Sequence, residues 1–387
     1  MEKEMIERFQ HYFPGNNEEI RLFFAPGRVN LIGEHTDYNG GFVFPAALTM
    51  GTYMAARPRN DREFHLFSES FPDEPVSFSA GELHFQNEDR WGNYPKGVVR
   101  ELLKNVELSG ADVYYYGNIP NGAGLSSSAS IGMVTAFGLS KMAGKPFRTL
   151  QLAKLIQHVE NNFIGVSTGI MDQFAVGFGR KDHALLLDCS TLEYEKVPLV
   201  LGNYRLVITN TNKRRGLADS KYNERRAECE QGLEAIRKRK KDVQSLGELS
   251  IDEFRKVQDM IEDDKVLRRV RHVVTENERV NLARKVLQKG DLVVFGELMK
   301  QSHESLRDDY EVTGPELDAL FNAQKAVKGC IGTRMTGAGF GGCTISIVQN
   351  DVISKFKRQV QEAYEKETGL APVFYTCEIG DGVKELR

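Results

Sequence analysis

Hydrogen-bonding side chains are concentrated in one tightly turned stretch near the N-terminus, residues 25–41, with the sequence APGRVNLIGEHTDYNGG. Four glycines and a proline favour tight turns in this stretch. It concentrates the hydrogen-bonding side chains of Arg28, Glu34, His35, Thr36, Asp37 and Asn39. Because burying so many polar groups is costly without a partner, the stretch predicts a binding site for a neutral ligand with several hydroxyl groups. The alternative is a solvated turn capped by its own Asp and Asn side chains.

A glycine- and serine-rich stretch, residues 117–130, lies between a predicted strand and a predicted helix. Glycines let backbone N–H groups approach a ligand, a helix N-terminus carries partial positive charge, and serine hydroxyls can bond phosphate or a hard cation. The stretch therefore predicts a cradle for nucleotide phosphates, although it has neither the Walker A pattern nor G-x-G-x-x-G. The alternative is a flexible loop in which a serine begins the helix.

Two carboxylates follow in the next polar segment. Asp172 stands among Ile170, Met171 and Phe174, where a carboxylate needs a cationic or hydroxyl partner. Glu160 lies at the margin of the apolar stripe of the preceding predicted helix. The alternatives are that Asp172 only caps its own short helix and that Glu160 is an exposed helix carboxylate.

A further glycine-rich stretch, residues 333–344, formally contains G-x-G-x-x-G at Gly337, Gly339 and Gly342. The residues that follow favour a strand, whereas a dinucleotide-binding turn opens a helix. A close approach of the backbone to phosphate or substrate between two strands explains the pattern better. The alternative is a glycine-rich hairpin without a ligand.

The predicted elements that position these segments are mainly strands in the N-terminal half, mainly helices after it, and strands and a helix near the end of the chain. Period-two patterns predict strands over residues 22–25, 42–57, 64–68, 111–117, 184–188, 204–210, 373–378 and, around a glycine turn, 333–348. Helical spacing of apolar residues predicts a helix over residues 152–163, and a run of small residues after a turn predicts one over residues 126–142. Helices are also predicted over residues 352–366 and most of 218–325, where Lys, Arg and Glu are dense. This order predicts an α+β fold, with two domains over residues 1–200 and 201–387.

Composition excludes several classes of protein. With 41% hydrophobic and 27% charged residues, the 387-residue chain is neither disordered nor fibrous in type. Its formal charge of −3 gives no bulk attraction for nucleic acid or an anionic membrane. The five cysteines form no CxxC pair and the N-terminus lacks an apolar signal segment, so we expect a soluble cytoplasmic protein with reduced thiols. The basic run at residues 237–241 is expected to be a solvated helix face.

Taken together and in this order, the four segments resemble the GHMP small-molecule kinases, and residues 25–41 resemble the galactokinase signature. The resemblance extends over most of the chain. It implies a two-domain α+β architecture with the active site in the interdomain cleft. It also implies ATP-dependent phosphorylation of galactose at its C1 hydroxyl, with Mg²⁺ as cofactor. No nucleic acid, membrane or obligate protein partner is expected.

The resemblance also implies roles for individual residues. Asp172 matches the catalytic base, and Arg28 matches the residue that stabilises the transition state. The residues expected to bind the sugar are Glu34, His35, Thr36, Asp37, Gly169 and Tyr222. The residues expected to bind the nucleotide are Ser68, Gly122, Ala123, Gly124, Leu125, Ser126, Ser127 and Ser128. The positions that match magnesium ligands are Ser128 and Glu160.

Two other functions stay open on the sequence. Sugar-sensing regulators related to these kinases lack a Ser-Ala pair in the serine loop, whereas Ser128 and Ala129 are present here, which favours an enzyme. A GHMP kinase for N-acetylgalactosamine, homoserine or mevalonate would differ in residues 25–41. There the cluster from Glu34 to Asp37 suits a sugar better than an amino acid or a branched carboxylate.

Overall fold

A computed structural model describes residues 2–16, 19–81, 83–119, 124–213 and 218–386. The described strands are β1(Arg21–Asn30), β2(Phe42–Val43), β3(Pro45–Pro58), β4(Glu63–Ser68), β5(Val76–Ser79), β6(Ala111–Gly117), β7(His183–Asp188), β8(Tyr194–Pro198), β9(Tyr204–Asn210), β10(Cys330–Thr336), β11(Cys343–Gln349), β12(Val373–Cys377) and β13(Lys384–Glu385). The described α-helices are α1(Glu2–Tyr12), α2(Asn93–Leu102), α3(Ser127–Met142), α4(Thr149–Val159), α5(Met171–Phe178), α6(Ala218–Arg237), α7(Ile251–Val257), α8(Asp264–Gln288), α9(Leu292–Asp308), α10(Pro315–Lys325) and α11(Ile353–Thr368).

The N-terminal half is built on a sheet with the strand order β13-β1-β3-β6-β4-β5. Its neighbouring strands are antiparallel except for the parallel pair β4 and β6. Helices α3 and α5 pack on β1 and β3, and α2 and α4 pack against α3. Gly138 lets α3 lie close to the sheet, because a Cβ there would be 2.2 Å from Met54 Cε. The close packing fixes the N-terminus of α3 relative to β1.

The C-terminal half contains an antiparallel sheet with the order β10-β11-β9-β12. Helices α9 and α10 pack on β10, and α6 and α9 pack against the long helix α8. A shared apolar core joins the two halves through Val29, Phe44, Ile208, Phe295 and Ile345, all with 0% exposure. This core holds the end of β1 beside the glycine turn between β10 and β11.

The structure confirms the predicted α+β fold. Strands β6 and β9 have the predicted bounds, and α3 begins one residue later than predicted. The last strand, β13, returns to pair with β1, so residues near the C-terminus belong to the N-terminal sheet. The division at residue 200 stays a prediction. Across the part of the chain that the structure describes, no helix has both the length and the apolar character needed to cross a bilayer.

Candidate active site

A cavity of about 300 Å³, here called the polar cavity, lies where the two halves of the chain meet. Its walls come from the end of β1 and the turn after it, the loop before α5 and the first residues of α5, the start of α6, and the glycine turn between β10 and β11. The lining residues are Arg28, Glu34, His35, Asp37, residues 165–169, Met171, Asp172, Tyr222, Asn223, Gly337 and Ala338. Three of the four segments singled out in the sequence therefore meet at one place.

Arg28 and Asp172 form a bidentate ion pair at the wall of the polar cavity. Arg28 Nε and Nη2 each donate to a carboxylate oxygen of Asp172 at 2.8 Å, and Nη1 donates to the Gly124 carbonyl oxygen at 2.8 Å. The side chain of Arg28 is 6% exposed and that of Asp172 is 28% exposed. A buried guanidinium thus fixes the plane of a carboxylate that still reaches the cavity.

Local backbone geometry brings this pair together. The pairing of β1 with β3 shifts register between Pro26 and Arg28, which marks a bulge beside the arginine. Ser126, at the start of α3, has a left-handed φ of 62°, and its hydroxyl donates to Asp172 Oδ2. Arg28 and Ser126, rather than the first amides of α5, hold the Asp172 carboxylate among the described residues. The structure therefore disfavours a purely capping role for Asp172.

Glu34 crosses from the turn after β1 to the glycine turn of the C-terminal half. It is 1% exposed, its Oε1 accepts from the Gly337 N–H at 2.7 Å, and Arg334 Nη1 lies 3.4 Å from the same oxygen. Burial raises the pKa of Glu34, and the positive charges of Arg334 and Arg28 oppose the rise. The carboxyl group is therefore fixed at the cavity by both halves of the chain.

His35 is held just as firmly. It adopts a left-handed φ of 62°, with Nε2 3.2 Å from the Ala338 carbonyl oxygen and Nδ1 2.8 Å from the Tyr38 hydroxyl. Burial, with a contribution from His272, lowers the pKa of His35 to about 3. The ring is therefore neutral near pH 7, and both of its nitrogens have partners within the protein.

Asp37 and Gly169 meet at the wall of the polar cavity, while Thr36 does not reach it. A Cβ at Gly169 would lie 1.8 Å from Asp37 Oδ2, so only glycine leaves this carboxylate in its place. Burial raises the pKa of Asp37 to about 7, and the negative charge of Asp172 adds to the rise. The Thr36 hydroxyl is used within the turn, where it donates to two backbone carbonyls at 2.9 and 2.7 Å.

Tyr222 joins the polar cavity from α6. Its ring centroid lies 5.6 Å from that of His35 and 5.3 Å from that of Tyr38. Burial raises the pKa of Tyr222 well above its ordinary value, and the charge of Asp37 adds to the rise. The hydroxyl therefore keeps its proton near pH 7 and can donate a hydrogen bond. The structure places this residue beside the other residues expected to bind the sugar.

A second cavity, of about 190 Å³ and here called the aromatic cavity, lies beside the N-terminus of α3. Its lining residues are Thr52, Ser68, Ser70, Phe71, Trp91, Tyr94, Tyr115, Gly117, Ile119, Ser127, Ser128 and Ile131. The rings of Trp91 and Phe71 are nearly parallel, with centroids 6.3 Å apart, and Tyr115 meets Trp91 edge-on at 5.8 Å. Aromatic rings next to a helix N-terminus suit a flat base that carries phosphates.

The residues expected to bind the nucleotide lie in three places. Those that line the aromatic cavity are Ser68, Ser127 and Ser128. Those that lie outside the described residues are Gly122 and Ala123. The remaining three lie beside Arg28: the carbonyls of Gly124 and Leu125 accept from its guanidinium and its backbone N–H, and Ser126 bonds Asp172. Consecutive residues at the start of α3 thus contact the Arg28–Asp172 pair and line the aromatic cavity.

Glu160 is buried rather than exposed on its helix. It is 2% exposed, and its Oε2 accepts from the Thr168 hydroxyl at 3.1 Å and from the Gln173 amide. Its Oε1 is buried without a hydrogen-bond partner in the described structure. Burial raises the pKa of Glu160 to about 7, the charge of Asp172 adds to the rise, and the Ser128 hydroxyl opposes it.

The donor atoms of Glu160 and Ser128 can be compared with those that Mg²⁺ prefers. An orphaned carboxylate oxygen beside a hydroxyl is the donor chemistry that Mg²⁺ takes. No group of three or more His, Cys, Asp or Glu side chains that could hold a metal occurs within the described ranges. A pair of ligands, Ser128 and Glu160, fits an ion that keeps several waters and bonds phosphate oxygens.

Two features of the site were missed in the sequence. The aromatic cavity includes Trp91, the chain's single tryptophan, and Tyr94 three residues later, a pairing that could have marked it. Arg334 lies within residues 333–344 but its contact with Glu34 spans 300 positions. No local pattern indicates such a contact.

The basic run at residues 237–241 lies away from both cavities. It starts at the last residue of α6, so most of it follows the helix instead of lying on it. Arg239 pairs with Asp259 at 2.7 Å and Lys240 with Glu253 at 2.6 Å, while Arg237 donates to a backbone carbonyl at 2.8 Å. These contacts agree with a solvated surface.

Family models match three parts of the chain. Residues 7–58 match the galactokinase galactose-binding signature, residues 93–180 match the GHMP kinases N terminal domain, and residues 283–366 match the GHMP kinases C terminal domain. The signature includes the turn after β1. The N-terminal model includes α3, Glu160 and Asp172.

Individual proteins are similar over nearly the whole chain. A galactokinase of Halalkalibacterium halodurans is 61% identical over 95% of this chain and 93% of its own length. A galactokinase of Fusobacterium nucleatum is 51% identical over 100% of both chains. The crystal structure of Lactococcus lactis galactokinase complexed with galactose has a TM-score of 0.95 and 46% identity, and covers 99% of both chains. The chain therefore belongs to the galactokinase family of the GHMP kinases.

Proposed function

We propose that this chain uses ATP to phosphorylate galactose at its anomeric C1 hydroxyl, giving galactose 1-phosphate and ADP, with Asp172 as base. The observation that carries the proposal is the bidentate pair of Arg28 and Asp172 at the wall of the polar cavity in a chain of this family. Phosphoryl transfer asks the protein mainly to position the reactants and to offset charge. A fixed, accessible carboxylate beside a buried guanidinium supplies both.

The reaction is a direct transfer in the polar cavity. Asp172 accepts the proton of the C1 hydroxyl as the sugar oxygen forms a bond to the γ-phosphorus. The bond from the γ-phosphorus to the oxygen shared with the β-phosphate breaks, and ADP leaves with that electron pair. Arg28 stays cationic throughout and offsets the charge on the transferring phosphoryl group while it holds the Asp172 carboxylate in place.

The sugar hydroxyls bind to the other polar groups of the cavity. Glu34 is an acceptor held by both halves of the chain, Asp37 accepts when it is ionised, and the protonated hydroxyl of Tyr222 is a donor. Because Gly169 has no Cβ, the Asp37 carboxylate can lie beside it. The neutral ring of His35 forms another part of the cavity wall. Thr36 contributes by holding the turn, because its hydroxyl is bonded to the backbone.

The nucleotide binds across the aromatic cavity and the start of α3. The base lies among the rings at Phe71, Trp91 and Tyr115, and the phosphates lie along residues 124–128. Ser128 and Glu160 would hold Mg²⁺, and the orphaned buried Oε1 of Glu160 supports this assignment. Bound there, the ion would supply positive charge that offsets the phosphate charge of the nucleotide.

The proposed compartment is the cytoplasm. All five cysteines are free thiols, and four of them are buried. Reduced thiols are typical of a reducing compartment. If treatment with a mild thiol reductant abolished the activity, a disulfide would be required and this assignment would be wrong.

The test is release of ADP from ATP in the presence of galactose, 2-deoxygalactose, N-acetylgalactosamine or glucose, with phosphorus NMR of the product. We expect turnover with galactose and a phosphate ester at the anomeric carbon. Binding of galactose without ADP release would indicate a sugar sensor instead. Faster turnover of N-acetylgalactosamine than of galactose would reassign the substrate.

A further inference from the structure

A chain of hydrogen bonds runs from the polar cavity into the C-terminal half behind it. Tyr38 Oη lies 2.8 Å from His35 Nδ1 and 2.8 Å from Tyr310 Oη, which in turn lies 3.2 Å from Cys229 Sγ. At the other end, His35 Nε2 lies 3.2 Å from the Ala338 carbonyl oxygen. His35, Tyr310 and Cys229 are all buried, so each polar group in the chain depends on its neighbours.

One carbonyl group fixes the direction of this chain. Because the Ala338 oxygen can only accept, His35 Nε2 must carry the ring proton and donate it. In a neutral imidazole Nδ1 is then an acceptor, so the Tyr38 hydroxyl must donate to it. The Tyr38 oxygen accepts from the Tyr310 hydroxyl, and the Tyr310 oxygen accepts from the Cys229 thiol.

The protonation states agree with that direction. Burial and the adjacent His272 lower the pKa of His35 to about 3, so the imidazole is neutral near pH 7. Burial raises the pKa values of Tyr38 and Tyr310 well above their ordinary values, so both phenols keep their protons. Each hydroxyl has one proton to donate and a free lone pair with which to accept.

His35 in this tautomer holds part of the cavity wall. Glu34 accepts from the N–H of Gly337 at 2.7 Å, and His35 donates to the C=O of Ala338 at 3.2 Å. Two adjacent side chains of the first turn therefore hold two adjacent residues of the glycine turn, and all four line the polar cavity. The other tautomer would set a nitrogen lone pair against the Ala338 oxygen and release this wall.

We propose that Tyr38 and Tyr310 are positioning residues for sugar binding, which act by holding His35 in its Nε2-protonated form and, through it, the Ala338 wall. Neither tyrosine is among the described residues that line the polar cavity. The inference rests on the proposed function, because galactose is taken to be the ligand of that cavity.

Tyr38→Phe is the first test, because it keeps the ring and removes the donor to His35 Nδ1. We expect the KM for galactose to rise about tenfold, the effect of one buried acceptor left without a donor. The KM for ATP and kcat should stay within about twofold, because the variant leaves the Arg28–Asp172 pair intact. Tyr310→Phe should raise the KM for galactose by only about threefold, because Tyr38 can still donate.

Tyr364→Phe is the matched control. The Tyr364 hydroxyl donates to the Thr211 carbonyl oxygen at 2.8 Å in a separate core, so the variant also loses one buried hydrogen bond. Its KM for galactose should equal that of the wild type. An equal rise in the two variants would show that the loss of any buried hydroxyl has this effect, and would overturn the proposal.

A double-mutant cycle tests whether Tyr38 acts through His35. His35→Gln keeps a donor near the position of Nε2 and removes the Nδ1 acceptor. In that background Tyr38→Phe should cause no further rise in the KM for galactose. Additive losses would show that Tyr38 acts independently of His35 and would overturn the proposal.

NMR spectra of the protein with ¹⁵N-labelled histidine show the tautomer of His35 directly and do not depend on enzyme activity. The signals of His35 are those absent from His35→Gln, and the wild type should show the proton on Nε2. A proton on Nδ1 would overturn the proposal even if the kinetics agreed. Conversely, a wild type that does not phosphorylate galactose would remove the proposed function while this spectrum still decides the tautomer.

Discussion

The start of α3 bonds Asp172 of the polar cavity and lines the aromatic cavity, but the walls of the two cavities are held in different ways. In the polar cavity, charged side chains are fixed by partners far away in sequence, as Arg28 fixes Asp172 and Gly337 fixes Glu34. In the aromatic cavity, stacked rings and short hydroxyls form the wall, as at Trp91. One wall therefore consists of buried charge and the other of apolar surface.

This difference indicates where discrimination between ligands resides. Buried polar groups reject a ligand that leaves them unpaired, because each lost hydrogen bond leaves a desolvated group. Stacking on aromatic rings accepts any flat ring of suitable size. We therefore expect substitutions in the polar cavity to act on the sugar and on catalysis, and substitutions in the aromatic cavity to act on the nucleotide alone.

Asp172→Asn should have the largest effect, because Asp172 lines the polar cavity and is bonded by Ser126 at the start of α3. The amide keeps the shape of the side chain but cannot accept the proton of the sugar hydroxyl. We expect kcat to fall by roughly 10²–10⁴-fold, as measured by ADP release. Galactose binding by calorimetry should remain detectable.

The control for this variant is Asp252→Asn, at a side chain that is 81% exposed and pairs only with Arg255 among the described contacts. It should leave kcat unchanged. If Asp172→Asn turned over galactose at a nearly normal rate, the assignment of the base would be wrong. The polar cavity would then not contain the catalytic base.

Gly169→Ala should act on the sugar alone. The added Cβ would lie 1.8 Å from Asp37 Oδ2 and must displace that carboxylate. We expect kcat/KM for galactose to fall about a hundredfold, the cost of unpairing a buried charged acceptor. The KM for ATP should not change.

Gly81→Ala is the matched control, because a Cβ there meets nothing within 4 Å. It should behave as the wild type in the same steady-state assays. A rise in the KM for ATP in Gly169→Ala would contradict the separation of the two cavities.

Trp91→Leu should act on the nucleotide alone. Loss of the indole removes a stacking surface, and we expect the KM for ATP to rise about tenfold. The KM for galactose should be unchanged. Because Trp91 is the only tryptophan, quenching of its fluorescence by ATP in the wild type gives an independent measure.

The control here is Phe85→Leu, at a ring that is 46% exposed and lies outside the aromatic cavity. It should leave both KM values unchanged. An increase in the KM for galactose but not for ATP in Trp91→Leu would reverse the assignment of the cavities.

Strands β6 and β9 were predictable from the strand-like pattern of their residues, and α3 from a run of small residues after a turn. Helix α2 was missed because it contains Pro95 and Gly97. Pro95 lies in the first turn, where a helix needs no backbone N–H partner. Gly97 lets α2 approach α4, since a Cβ there would lie 2.7 Å from Val159 Cγ1 and 2.8 Å from Phe163 Cδ1. In the sequence alone both residues disfavour a helix, and only the packing of the folded chain shows why α2 tolerates them.

The polar cavity was more predictable than the aromatic cavity for a similar reason. Glu34, His35 and Asp37 are neighbours in one glycine-rich turn, so their composition alone predicted a binding site. The aromatic cavity is assembled from separate elements, each of which contributes one or two ordinary residues. Contacts such as that of Glu34 with Arg334 depend on the packing of the two halves. The roles of the individual residues stay predictions until the variants above are measured.

The smallest expected effect is on folding stability, where Asp37→Asn measures the free energy of holding charge in the polar cavity. Burial and the charge of Asp172 raise the pKa of Asp37 to about 7, from 3.8 for the ordinary side chain. Between these two values the folded protein binds more protons than the unfolded chain, so the free energy of unfolding falls as the pH rises. Above the pKa of the folded state, Asp37 is ionised in both states, and the full destabilisation caused by its buried charge is present.

Asparagine removes this titration, so Asp37→Asn should be more stable than the wild type at pH 8 and close to it at pH 4. We expect a difference on the order of 1 kcal/mol, because partial exposure at the cavity reduces the effect of the charge. Urea unfolding at both pH values measures it, with Asp252→Asn as the exposed control. Saturating galactose should reverse the order at pH 8, because the sugar hydroxyls donate to the ionised Asp37. A stability difference that did not depend on pH would show that this carboxylate is already compensated without the sugar.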